Sequence, residues 1–255
     1  MYGRGNQGGG IGFGPPVTPQ IIKQLLIANF AIFVAQFLIP GLTFAFTVTP
    51  IEFWGQGHLW QPFTYMWVHS PSFLGHILMN MLVLWMFGSQ LALVWGAERF
   101  LRYYVVCGVG AGLIIATWPF VPVWFGATDA IRLYEPTLGA SGAIYGVMLA
   151  YSLTWPDRTI MLIFPPVAFR AIWLIPALFV MNVAFDAGAS RISHVGHLGG
   201  VLVGWLWLRR QGDARGLSLE QIKYRWRRFR MRQRLRAVRQ EDPKRRSDRR
   251  GPWTH

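Results

Sequence analysis

Long apolar stretches recur along this 255-residue chain, and they constrain its fold more than any other feature. A helix that crosses the hydrocarbon core of a bilayer needs roughly 20 mostly apolar residues. Charged residues make up 14% of the sequence, whereas a typical soluble domain has about 25%. The sequence therefore predicts an all-α, polytopic membrane protein.

Six of these stretches are predicted to be membrane-spanning helices. They are residues 22–47, 73–95, 100–118, 138–155, 168–187 and 194–210. Together they predict a six-helix bundle within residues 21–210. A Gly- and Pro-rich segment, residues 1–20, has too little apolar surface to fold and is predicted to be disordered. An Arg-rich tail, residues 211–255, follows the bundle.

The distribution of basic residues predicts the orientation of the spans. Lys and Arg residues are concentrated in the C-terminal tail and in the loops that follow the second and fourth spans. The 48–72 loop contains none. Because basic residues favour the cytoplasmic side, both termini are predicted to be cytoplasmic and the 48–72 loop to lie outside. The second, fourth and sixth spans would then all begin at the outer surface.

Polar residues lie near the outer ends of these three spans. His76 and Asn80 are four residues apart in the second span, so they share one helical face. Ser141 lies at the start of the fourth span, and His194 and His197 at the start of the sixth. Ionisable groups at membrane depth are costly and tend to face the interior of a bundle. The topology therefore brings three polar clusters to one depth.

Glycines at a spacing of four residues accompany two of the clusters. These are Gly142 and Gly146 in the fourth span, and Gly200 and Gly204 in the sixth. Taken alone, such pairs indicate close helix packing, and a lone serine or histidine beside them indicates a helix–helix hydrogen bond. However, His197 shares a face with Gly200 and Gly204. If the two glycine stripes pack together, Ser141 and His197 meet where the backbones are closest.

A serine beside a histidine suggests nucleophilic catalysis. Serine is a weak nucleophile until a base removes its proton, and a neutral imidazole can act as that base. His76, Asn80 and the backbone N–H of Ser141 could stabilise the resulting oxyanion. Metal binding by His76, His194 and His197 is the alternative, but the sequence has no H-E-x-x-H motif and no acidic residue beside them. No metal or other cofactor is predicted.

Three motifs occur in order on the second, fourth and sixth spans: H-x-x-x-N (His76–Asn80), GASG (residues 139–142) and H-x-x-G-x-x-x-G (His197–Gly204). In this combination the chain resembles the rhomboid intramembrane serine proteases of the bacterial six-span type. The resemblance implies Ser141 as nucleophile, His197 as general base, and His76 and Asn80 in the oxyanion hole. It also implies that Tyr145 packs against the catalytic imidazole. The supporting positions are Gly139, Gly142, Gly200, Gly204 and His194.

The resemblance further implies endopeptidase activity on single-span or polytopic membrane proteins, cleaved near the outer surface of a bacterial cytoplasmic membrane. The first loop of this family often has a Trp-Arg pair, but here Gln61 follows Trp60. Two other functions stay open. One is a catalytically inactive rhomboid-like binding or quality-control protein, although such proteins typically lack the serine or the histidine. The other is a small transporter.

The tail is strongly basic. From Arg209 onward the sequence has 17 Lys and Arg residues against 5 Asp and Glu residues. Over residues 218–240, apolar residues at helical spacing alternate with arginines. This pattern predicts that part of the tail forms an amphipathic helix on the membrane surface. Anionic lipid of the cytoplasmic leaflet is the predicted partner of this tail, and no nucleic acid is expected.

Overall fold

The structure is a computed structural model that describes residues 14–126, 130–161, 167–185, 191–211 and 231. The chain divides into two compact units, residues 1–208 and 209–255. The first unit is mostly helical and contains all the predicted site residues. The amphipathic helix predicted for the tail lies outside the described residues, as does most of the N-terminal segment predicted to be disordered.

The described residues form helices of several kinds. The α-helices are α1 (Gln20–Leu38), α2 (Leu42–Phe46), α3 (Pro50–Gly55), α4 (Gln61–Thr64), α5 (Leu74–Val83), α6 (Ser89–Trp95), α7 (Ala97–Thr117), α8 (Phe120–Trp124), α9 (Ser141–Thr154), α10 (Leu174–Phe185) and α11 (Arg191–Arg210). A π-helical turn, Leu84–Gly88, joins α5 to α6. Short 3₁₀ turns are formed by Tyr65–Trp67, Ile131–Tyr134 and Ala171–Trp173.

Within the described part of the chain, three helical stretches are long and apolar enough to cross a membrane. They are Gln20–Leu38, Leu74–Trp95 and Ala97–Trp124, and they overlap the first three predicted spans. The protein is therefore an integral membrane protein. Helix α9 has 14 residues, and at 1.5 Å per residue it is about 21 Å long. That length is shorter than a hydrocarbon core of roughly 30 Å.

The prediction of one helix over residues 22–47 is wrong at its C-terminal end. Helix α1 ends at Leu38, and Ile39 is already extended. Pro40 cannot continue the hydrogen-bond ladder because it has no N–H. Gly41 follows with a left-handed φ of 81°, which glycine adopts without strain. The chain then starts the separate helix α2.

A two-stranded antiparallel sheet lies between α9 and α10, and the all-α prediction missed it. Strand β1 (Thr159–Met161) pairs with β2 (Ala168–Arg170), with Ile160 opposite Phe169. The predicted span 168–187 therefore begins as a strand, and its α-helix begins at Leu174. The apolar composition of residues 168–173 does not distinguish a strand from a helix.

Helix α9 lies at the centre of the bundle, because most of its side chains are buried on all sides. Two tyrosine hydroxyls connect the surrounding elements through buried hydrogen bonds. The hydroxyl of Tyr103 in α7 donates to the carbonyl of Gly146 in α9 at 2.7 Å. The hydroxyl of Tyr65 donates to the carbonyl of Gly108 in α7 at 2.8 Å. These bonds fix α7 against α9 and against the Tyr65–Trp67 turn that precedes α5.

Candidate active site

Ser141 and His197 form a hydrogen-bonded pair between two helices. The Oγ atom of Ser141 lies 2.9 Å from Nε2 of His197. Ser141 is the first residue of α9, and His197 lies in the second turn of α11. For Nε2 to accept the hydroxyl hydrogen, the proton of the neutral ring must be on Nδ1. This geometry allows His197 to remove a proton from Ser141.

The glycine stripes bring the two helices together. A Cβ atom at Gly200 would overlap the carbonyl oxygen of Gly142, and one at Gly146 would lie 3.3 Å from the carbonyl oxygen of Gly200. A Cβ atom at Gly204 would lie 2.5 Å from the hydroxyl of Tyr103. A side chain larger than hydrogen at Gly200 would therefore separate α11 from α9, and one at Gly204 would separate α11 from α7. The close approach is therefore what places Ser141 beside His197.

Tyr145 packs flat against the ring of His197. The two ring centroids are 4.2 Å apart, and the ring planes differ by 4°. Tyr145 is four residues after Ser141 in α9, so both side chains lie on the same face of that helix. One helix thus presents both the hydroxyl that the imidazole can deprotonate and the surface that restricts the imidazole plane.

His76 and Asn80 of α5 face the same cavity. The backbone N–H of Ser70 donates to Nδ1 of His76 at 3.2 Å. An accepting Nδ1 has no proton, so the neutral His76 ring must have its proton on Nε2. Asn80 donates one amide hydrogen to the carbonyl of His76 at 2.8 Å. Its amide nitrogen carries a second hydrogen, which is available in principle to a ligand.

Gly139 turns the chain between His76 and the start of α9. Its φ of 118° is in a region that side chains rarely adopt. A Cβ atom at Gly139 would lie 2.8 Å from both Cε1 and Nε2 of His76. The N–H of Gly139 donates to the carbonyl of Tyr65 at 2.9 Å, which fixes the turn. The first N–H groups of α9, beginning with Ser141, have no intrahelical acceptor and can bind negative charge.

These residues line one cavity of about 630 Å³. Its lining includes Ser70, His76, Met79, Asn80, Val83, Ser141, Ile144, Tyr145, Met148 and His197. The lining thus combines a few polar groups with aliphatic side chains of α5 and α9. A volume in the range of 300–1,000 Å³ with a few polar groups is typical of ligand pockets. The cavity can therefore hold a peptide segment beside Ser141.

His194 lies elsewhere. It lines a small separate cavity with Tyr145, Phe179 and His197, on the side of the His197 ring that faces α10. Within the described ranges, no group of three or more His, Cys, Asp or Glu side chains lies close enough to hold a metal ion. The predicted supporting position of His194 is thus adjacent to His197 and outside the cavity that contains Ser141.

Gln61 stands in the first loop where the family often has an arginine, and it makes polar contacts there. Gln61 is fully buried. Its Oε1 atom accepts from the N–H of Thr49 at 3.1 Å, and its Nε2 atom donates to Glu52 at 2.8 Å. The indole N–H of Trp60 donates to the carbonyl of Ala45 at 2.9 Å. Gln61 therefore connects α3 with α4 through its neutral amide.

Two contributors to the site were missed by the sequence analysis. Tyr65 accepts the N–H of Gly139, and Ser70 binds His76 through its backbone. Both lie in the 48–72 loop, where the helices α3 and α4 and the 3₁₀ turn are too short to show a periodicity that would predict where their residues lie. The contact from Ser70 uses a backbone N–H, which every residue except proline has, so no residue type could have indicated it.

Comparison with known proteins identifies the family of the chain. A family model described as the Rhomboid domain matches residues 56–210, and the chain belongs to the rhomboid family. Rhomboid protein 1, mitochondrial, of Saccharomyces cerevisiae is 32% identical over 137 residues, which are 52% of this chain and 36% of that protein. The human presenilin-associated rhomboid-like protein, mitochondrial, is 33% identical over 136 residues, which are 52% of this chain and 33% of that protein.

A bacterial relative is also similar. Rhomboid protease GluP of Bacillus subtilis is 28% identical over 156 residues, which are 59% of this chain and 25% of that protein. The chain therefore spans between a quarter and about a third of the length of these three relatives. At least one relative is a protease by name.

Proposed function

We propose that this chain is an intramembrane serine endopeptidase, with Ser141 as nucleophile and His197 as general base. The observation that carries the proposal is the 2.9 Å contact between Ser141 Oγ and His197 Nε2, inside a cavity of about 630 Å³. The relative named as a rhomboid protease supports it. The substrates would be transmembrane segments of single-span or polytopic membrane proteins.

The reaction would proceed in two halves. His197 Nε2 removes the hydroxyl proton while Ser141 Oγ attacks the scissile carbonyl carbon, which forms a tetrahedral oxyanion. Nε2–H of His76, Asn80 and the N–H of Ser141 stabilise that charge. His197 then gives its proton to the leaving amine, and the C–N bond breaks. In the second half, His197 deprotonates a water molecule that hydrolyses the ester and returns the proton to Ser141.

The membrane placement is part of the same proposal. Residues 21–210 would form a six-span domain, in which α9, α10 and α11 are the last three spans. Because α9 is about 21 Å long, it cannot reach both edges of a core of roughly 30 Å. With its C-terminal end at the inner surface, Ser141 would lie below the outer surface, where water has to enter through the cavity. Both termini would be cytoplasmic.

A catalytically inactive binding or quality-control protein is the alternative function. The presence of both Ser141 and His197, and their hydrogen bond, favours the protease. An inactive protein needs neither residue, so it would tolerate substitution of both.

The test is cleavage of a single-span substrate by the full chain in proteoliposomes. We expect Ser141→Ala and His197→Ala each to lower kcat by at least about 10³-fold, as in other serine hydrolases whose nucleophile or base is removed. Ser152→Ala is the matched control, because Ser152 lies on the same helix and donates locally to the carbonyl of Met148. A fluorophosphonate probe should label the parent at Ser141. If Ser141→Ala and His197→Ala cleave as fast as the parent, the dyad assignment is wrong.

The tail and the compartment are separate proposals. Residues 211–255 would bind anionic lipid of the cytoplasmic leaflet, which vesicles with and without phosphatidylserine test by co-sedimentation. No nucleic-acid partner is proposed. We keep the bacterial cytoplasmic membrane as the predicted compartment, although the names of the yeast and human relatives assign those proteins to mitochondria. Fractionation of the source cells tests this.

A further inference from the structure

The turn at His69–Ser70, near the end of the first loop, fixes the orientation of the His76 ring through a hydrogen bond. Ser70 donates its backbone N–H to Nδ1 of His76, so the ring proton is on Nε2. Nε2 lies on the side of Gly139, where a Cβ atom would come within 2.8 Å of it. In the opposite tautomer Nε2 would be an acceptor and would repel an oxyanion. The contact from Ser70 therefore decides whether His76 can act as a donor.

That turn is itself bound to α1 by Gln36. The Nε2 atom of Gln36 donates to the carbonyl of His69 at 2.8 Å, and its Oε1 atom accepts from the N–H of His69 at 3.0 Å. A peptide N–H can only donate and its carbonyl can only accept, so the orientation of the Gln36 amide is fixed. Gln36 also donates to Thr43 Oγ1 at 2.9 Å. One buried amide thus joins α1, α2 and the turn at His69–Ser70.

His69 fills the space between this amide and His76. Its side chain is fully buried, and its ring packs edge-on against the ring of His76 with centroids 5.2 Å apart. Burial lowers the pKa of His69 to about 3, with the neighbouring His76 as a smaller cause. The ring is therefore neutral at physiological pH and contributes packing without a positive charge. Its edge-on contact restricts the position of the His76 ring.

We propose that Gln36 and the His69–Ser70 turn are a positioning device that keeps His76 as an Nε2–H donor to the oxyanion. The inference rests on the proposed protease function. Gln36 touches neither the cavity nor Ser141, so it would act only through His76. Loss of one oxyanion donor costs about 10²–10³ in kcat. A misplaced donor should cost less than a removed one, about 10- to 100-fold.

The test compares three substitutions in α1. Gln36→Leu removes all its hydrogen bonds, and we expect kcat to fall about 10- to 100-fold with KM changed less than about threefold. Gln36→Glu keeps an acceptor for the N–H of His69, so its kcat should lie between those of Gln36→Leu and the parent. Gln24→Leu is the control, because Gln24 is exposed on the same helix and should leave kcat unchanged.

A double-mutant cycle distinguishes positioning from general damage. If Gln36 acts through His76, then Gln36→Leu should have no further effect on kcat in a His76→Ala background. An undiminished loss in that background, or an unchanged kcat in the parent background, would overturn the inference. Where Gln36→Leu does not fold, Gln36→Glu takes its place in the cycle.

The tautomer provides a readout that does not need proteolysis. With ¹⁵N-labelled histidine, the parent should show His76 with a protonated Nε2 and an unprotonated Nδ1, assigned by comparison with His76→Ala. We expect Gln36→Leu to populate the other tautomer or to broaden both signals. A parent in which Nδ1 carries the proton refutes the inference even if the enzyme is active. A parent that cleaves nothing but has the expected tautomer refutes only the proposed function.

Discussion

Adding one methyl group at Gly139 should separate catalysis from stability. In Gly139→Ala the new Cβ atom would lie 2.8 Å from Cε1 and Nε2 of His76, whereas carbon atoms pack best at about 3.5–4.0 Å. The ring of His76 would therefore have to move by roughly 0.7–1.2 Å. A displacement of that size at an oxyanion donor should lower kcat by about 10²-fold.

The φ of 118° at Gly139 adds a second effect. A side chain in such a conformation costs about 1–3 kcal/mol of stability. Gly57→Ala is the matched control, because Gly57 also has a positive φ, 73°, but nothing lies within 4 Å of its would-be Cβ atom. It should lose a similar amount of stability and keep its kcat.

The assay is cleavage of a single-span substrate in proteoliposomes, with thermal unfolding in detergent as the stability measurement. We expect both variants to unfold at lower temperature, and only Gly139→Ala to lose about 10²-fold in kcat. The reasoning fails if Gly139→Ala cleaves at the parental rate. It also fails if Gly57→Ala loses as much activity, because the loss would then come from backbone strain rather than from His76.

Two further predictions concern the Ser141–His197 pair. Gly200→Ala should abolish cleavage and fluorophosphonate labelling, since its Cβ atom would overlap the carbonyl of Gly142 and separate α9 from α11. Gly199→Ala is the control and should keep cleavage and labelling, because the closest contact of its Cβ atom would be the terminal methyl of Ile114 at 3.2 Å. If the probe labels Gly200→Ala as well as Gly199→Ala, the packing argument is wrong. Tyr145→Leu should lower kcat about tenfold by releasing the imidazole plane. Tyr145→Phe keeps the ring and should retain most of the rate, and equal losses in the two variants would argue against stacking.

The sequence predicted the elements of this fold that depend on composition. The spans around Leu74–Trp95 and Ala97–Thr117 follow from continuous apolar runs, and the structure has helices there. The end of α1 at Leu38 could not be predicted from hydropathy, because Leu42–Phe46 is apolar as well. The sheet at Thr159–Met161 was missed because three-residue strands have almost no periodicity.

The site was predictable to the extent that helices carry it. Three pairs of site residues have helical spacing, so one known contact implies the neighbouring one. They are His76 and Asn80, Ser141 and Tyr145, and His197 and Gly200. The contacts of Gln36, Tyr65 and Ser70 are different, because each uses a loop backbone, and those of Gln36 and Tyr65 also join residues far apart in the sequence. Sequence separation as large as the 33 residues between Gln36 and His69 leaves no local pattern. Only the folded chain shows them.

The flat contact between Tyr145 and His197 affects the imidazole differently before and after it gains a positive charge. In the proposed mechanism a neutral imidazole starts the reaction, and the stacked rings, 4.2 Å apart, then contribute packing alone. In the proposed reaction His197 becomes an imidazolium as the oxyanion forms, and the same phenol ring then faces a cation. A cation over an aromatic face gains about 1 kcal/mol. Tyr145 would therefore stabilise the charged intermediate more than the resting enzyme, so a ring that orients the base would also favour its protonation.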